Sequence, residues 1–111
     1  PPPPQWEPRW GAVATDATTG ILGTATNTSS KREAEQAAIA DCQSKGGSHC
    51  KMNLAYDNEC VAMVVGAKGY NVNADTTVAE AVKAGMKTCT ADGDPDCHAY
   101  YTACSLPVRI Q

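Results

Sequence analysis

The sequence predicts an α+β fold: a duplicated ββαβ unit with two helices, a largely antiparallel sheet and three disulfides. Three observations carry that prediction. Six cysteines stand at regular spacings in 111 residues. Two S/T-x-x-E motifs, at Ser30 with Glu33 and at Thr77 with Glu80, each open a stripe of small apolar residues at helical period. The chain also aligns with itself at a shift of 47 residues, which sets Cys42 on Cys89 and Cys50 on Cys97.

Each half has the same grammar. Two strand-like pieces come first, Trp10 to Thr15 and Ile21 to Asn27 in one half, Cys60 to Val65 and Tyr70 to Asn73 in the other, with turns at Gly20 and Gly69. Upstream of the helices the best shift is 50, which sets Gly11–Ala14 on Val61–Val64. A helix follows in each half. In its capping box the hydroxyl and the carboxylate satisfy free backbone N–H groups reciprocally. The predicted buried stripe is Ala34, Ala37, Ala38 and Cys42 in the first helix, and Val78, Ala81, Val82, Met86 and Cys89 in the second. The helices end near Gly46-Gly47 and Gly93. A last strand closes each half, Lys51 to Tyr56 and His98 to Cys104. Residues 1–9 read as a proline-rich tail, extended and outside any sheet ladder, with Trp6 expected to fold back onto the body. Residues 10–111 then form a single stapled domain of two half-repeats, 10–57 and 58–107.

The core material is thin. There is no Phe, and Ala supplies much of the 42% hydrophobic content. At roughly 25 cal/mol per Å2 of buried apolar surface such a core is marginal. Six cysteines without a C-x-x-C pair, beside only two histidines, read as disulfides formed in an oxidising compartment rather than as a metal site. Fifteen connectivities are open to six cysteines. Equivalent units favour equivalent bonds, Cys42–Cys50 and Cys89–Cys97. That leaves Cys60–Cys104, expected to join the two halves; crossed pairing such as Cys42–Cys97 stays open.

Nine Lys and Arg against twelve Asp and Glu give a net charge of −3, which argues against nucleic acid or an anionic membrane as partner. The longest apolar run, Cys60 to Ala67, is strand-length, so no membrane span is expected. The chain opens on Pro1 rather than Met and is expected to be a mature or trimmed product.

The ordered set of motifs resembles a known family. WGAVATD (Trp10 to Asp16), A-E-x-A-A-x-x-x-C (Ala34 to Cys42), C-K-M-N-L from Cys50, E-C-V-A-M (Glu59 to Met63), T-x-A-E-A-V (Thr77 to Val82) and the Cys89 and Cys97 pair are similar to the bacterial secreted family known as domain of unknown function 4189. The resemblance implies export, to the periplasm or the medium, and a disulfide-bonded α+β fold. It transfers no catalytic residue. Family members near secretion-system toxins suggest an immunity or inhibitor role.

No residue cluster announces a reaction. His49 and His98 each adjoin a cysteine, but a Cys–His pair needs a free thiol and the disulfide reading leaves none. Asp92-Gly93-Asp94-Pro95-Asp96 alternates carboxylates like the start of a calcium loop. The positions that would need Gly and Glu are Cys97 and Ala103, so a solvated acidic turn is expected instead. Neither a catalytic set, a cofactor nor a metal is expected. What remains is surface. Strand alternation predicts Tyr101 buried and Tyr100 exposed as an interface anchor. Asp57, Glu59, Asp92, Asp94 and Asp96 are the acidic candidates for contact with a protein partner. The expected function is that of a non-enzymatic binding protein, an inhibitor or immunity protein blocking a toxin or cell-wall hydrolase. The alternative is a secreted effector or host-directed factor without a linked toxin.

Overall fold

The computed structural model describes residues 2–111. It divides into two compact units, one holding the chain up to Asn58 together with Ser105–Gln111, the other Glu59–Cys104. Each is built from an antiparallel three-stranded sheet and one helix.

In the first unit the strands β2 (Trp10–Asp16), β3 (Ile21–Thr28) and β4 (Lys51–Asp57) lie in the order β3-β2-β4, and α1 (Lys31–Ser44) covers one face. Ala12 and Ala14 of β2 and Ala25 of β3 meet Ala34, Ala38 and Cys42 of α1 in the core. Small side chains on both sides let helix and sheet approach closely. The intervening β2 residues Val13 and Thr15 are buried as well, so both faces of this strand are covered. The β2–β3 register slips between Trp10 and Ala12, where Asn27 adopts a left-handed φ of 58° and bulges out of β3.

In the second unit β5 (Glu59–Val65) is flanked by β6 (Tyr70–Asp75) and β7 (His98–Ser105), with α2 (Val78–Ala91) packed on β5 and β6. The last residue of β7, Ser105, groups with the first unit, where its Oγ accepts the Asn27 N–H at 3.0 Å.

The buried seam of each helix is narrower than the predicted stripe. It consists of Ala34, Ala38 and Cys42 in α1 and Ala81, Gly85 and Cys89 in α2, equivalent residues at the 47-residue shift. Ala37 is exposed, and Val78, Val82 and Met86 are half-buried. Each helix thus buries a single row at i, i+4. Gly85 is required there, because a Cβ would run into the Val64 side chain.

Capping follows the motifs in half. Ser30 Oγ accepts the Glu33 N–H and Thr77 Oγ1 the Glu80 N–H, both at 3.1 Å. The return bond of the first box is displaced by one residue: Glu33 Oε2 accepts from Ser29, at 3.1 Å from its N–H and 2.6 Å from its hydroxyl. Both helices end in the same Schellman turn. Gly46 and Gly93 take left-handed φ values of 102° and 71°. The next N–H groups, of Gly47 and Asp94, return to the carbonyls of Cys42 and Cys89.

The three disulfides are Cys42–Cys50, Cys89–Cys97 and Cys60–Cys104. The first two tie each helix end to the following strand. The third does not join the halves as expected. Both of its cysteines lie in the second unit, where antiparallel pairing sets the start of β5 against the end of β7.

The tail also departs from expectation. β1 (Trp6–Glu7) pairs antiparallel with β8 (Val108–Arg109), extended by a Gln5 N–H bond to the Gln111 carbonyl. Gln5, Trp6 and Glu7 stand between Pro4 and Pro8 and keep the N–H groups that proline lacks. The Trp6 side chain is 56% exposed.

Candidate functional site

The surface residues singled out by the sequence fall in both units. Asp57 ends β4 and is half-buried, and Glu59 opens β5 and is half-buried. Asn58, with φ 54°, exchanges two bonds with Arg9: it donates its N–H to the Arg9 carbonyl and accepts the Arg9 N–H on Oδ1, each at 3.1 Å. The loop is thereby held from inside the first unit.

In the second unit the acidic turn leads straight into β7. Asp92 caps α2 and is exposed. Asp94 is half-buried, and its two oxygens accept the N–H groups of Lys68 and Gly69 at 2.8 and 2.9 Å. It anchors the β5–β6 turn. Asp96 is exposed at φ 61°, and its carbonyl lies 2.9 Å from His98 Nδ1. Beyond it Tyr100 is 62% exposed, whereas Tyr101 is half-buried rather than buried. Leu54, the residue it aligns with, is half-buried too: an edge strand leaves even its inward side chains at the margin of a small sheet. A cleft of about 180 Å3 lies behind the turn, lined by Lys68, Tyr70, Asn71, Cys89, Asp92 and Asp94. That is below the size of ordinary small-molecule sites.

The sequence reading missed Asp16. Its carboxylate is fully buried. Oδ1 accepts the Thr18 N–H at 2.9 Å and the Thr18 hydroxyl at 2.5 Å, and Oδ2 accepts the N–H groups of Ser48 and His49, both at 2.9 Å. These donors, the Thr18 hydroxyl foremost, hold its pKa far below the usual carboxylate range against the opposing effect of desolvation. A carboxylate so satisfied is an anchor, not a general acid. The signal was present in Asp16-Ala17-Thr18, an Asx-turn sequence at a strand end. Asp41 is lowered in the same sense, first by Lys45 Nζ at 2.9 Å and then by the Thr24 N–H; Glu33 is lowered by Ser29.

His49 and His98 are exposed beside disulfides, and among the described residues no cysteine is free. Nor, among those residues, do three His, Cys, Asp or Glu side chains converge in a metal-holding group. Among the described residues no helix is long and apolar enough to cross a membrane. Three disulfides place the protein outside the reducing cytoplasm.

No curated protein and no solved structure matches the chain. The model of one family does match, over residues 10–104, from the start of β2 to the last cysteine, and the chain therefore belongs to the family described as domain of unknown function (DUF4189).

Proposed function

We propose that the protein is a small exported binding protein of the periplasm or the extracellular medium, an inhibitor or immunity protein that blocks a secretion-system toxin or cell-wall hydrolase by direct contact. The observation that carries this reading is Tyr100, a large side chain 62% exposed on a strand without a single charged residue. A rigid aromatic that costs little entropy to fix is the usual anchor of a protein interface. The exposed carboxylates of Asp92 and Asp96 precede it and suit a basic rim around a partner's cleft. The three disulfides fit a protein that acts among hydrolases, and they leave no thiol for a Cys–His reaction.

The test is capture and calorimetry against the products of toxin and hydrolase genes neighbouring this one. Binding is expected to one of them, weakened at least about tenfold by Tyr100→Ala with the thermal melt unchanged. Absence of binding to every candidate, or full inhibition by the Tyr100→Ala protein, would remove the reading.

A further inference from the structure

The geometry points to β7 as a docking edge for a second copy of this chain, paired antiparallel about a twofold axis through Tyr100. The inference goes beyond the inhibitor reading and stands without it.

β7 is an edge strand: β5 pairs with one side of it, and no strand of the second unit pairs with the other. Its backbone orientation follows from the disulfide. The Cα atoms of Cys60 and Cys104 are 3.9 Å apart, the close spacing of a pair whose N–H and C=O groups turn away from each other rather than bond. Cys104 therefore directs its backbone groups outward, and at the strand's period of two so do Thr102, Tyr100 and His98. The side chains of these last three residues are exposed as well.

Natural edges of this kind carry a guard, such as a Lys, a Pro or a bulge. β3 has its bulge at Asn27, β4 opens on Lys51 and closes on Asp57, and β6 ends on Asp75. His98–Ser105 has no charged residue and no proline.

Self-complementarity selects the occupant. With the axis on Tyr100, His98 of each chain faces Thr102 of the other and Tyr100 faces Tyr100. His98, Tyr100 and Thr102 thus meet among themselves, with two backbone bonds per pair. The central contact is an aromatic cross-strand pair, and no like charges oppose each other. A charged extended peptide finds no counter-charge on this strand. One strand is less than a stable interface needs, so the dimer is weak and forms by mass action. It covers Tyr100, so the second copy competes with any partner that uses that side chain.

Sedimentation velocity and amide hydrogen exchange on the intact oxidised chain, from about 10 μM to about 1 mM, test this. The sedimentation coefficient should rise with concentration. The amides of His98, Tyr100 and Thr102 should exchange at least about fivefold more slowly at the top of the range, while those of Ala99 and Tyr101 do not change. Tyr100→Lys, a surface change that opposes two cations on the axis, should stay monomeric with an unchanged melt. A wild-type monomer throughout, a dimer that persists in Tyr100→Lys, or protection without the two-residue alternation would each overturn the proposal. The first of these would leave the edge to an extended segment of another protein.

Discussion

Asp94 joins the same two loops in the second unit that Asp16 joins in the first, but from the other loop. Asp16 leaves the end of β2 and takes the Ser48 and His49 N–H groups after α1. Asp94 stands after α2 and takes the Lys68 and Gly69 N–H groups after β5. At the shifts that align the halves, Asp16 corresponds to Gly66 and Asp94 to Gly47. The carboxylate and the glycine have exchanged places. A side chain at Gly66 would strike the Asp94 carboxylate, and one at Gly47 would strike the sulfurs of Cys42 and Cys50. Each unit thus has room for one acid.

Asp94→Ala should therefore destabilise the protein by about 1–3 kcal/mol, since two backbone N–H groups lose a charged acceptor. Urea denaturation would show it as a lower midpoint at constant slope. An unchanged midpoint would mean that water replaces the carboxylate at no cost.

Asp16→Asn tests the first anchor through pH. The folded-state pKa of Asp16 lies well below its unfolded value of about 3.9, so its contribution is complete above that value and is lost as pH falls below it. An amide in its place turns an NH2 group toward backbone donors. The gap in denaturation midpoint between wild type and Asp16→Asn should be widest above about pH 5 and narrow steadily as pH falls below about 4. A gap independent of pH would separate the carboxylate from acid stability.

Gly85→Ala should destabilise by about 1–3 kcal/mol although alanine is the better helix former, because its Cβ meets Val64 and Asn71. Adding Val64→Ala should recover part of the loss, and the double-mutant cycle measures the coupling.

The bridges should rank by the loop they close. Replacing Cys60 and Cys104, 44 residues apart, by alanine should cost about 4 kcal/mol; removing Cys42–Cys50, with a separation of 8, should cost about 2.5 kcal/mol. Chemical denaturation of the two double variants checks the order.

Local signals made most of this fold legible. Ser30 and Thr77 fixed the helix starts, Gly46 and Gly93 the ends, and the matched cysteines the two equivalent disulfides, because each acts on backbone a few residues away. What was not legible depended on distant chain. Trp6 and Glu7 become a strand only because Val108 and Arg109 come alongside. Ala37 fits the helical period but faces away from the sheet. The place of Cys60–Cys104 within one unit depends on β7 pairing with β5. At the candidate site the exposure of Tyr100 follows from strand alternation, whereas the anchoring role of Asp94 needs the approach of the β5–β6 turn.

The ladder between β1 and β8 has a topological consequence. With Gln5 bonded to Gln111 and Ile110 to Gln5, the two ends of the described chain run side by side. A short flexible linker would close the molecule into a ring, and the exposed β2–β3 turn at Thr18–Gly20 offers a point to reopen it. Such a circular permutant would keep every disulfide and both helices while moving the free ends to the opposite end of the β2–β3 hairpin.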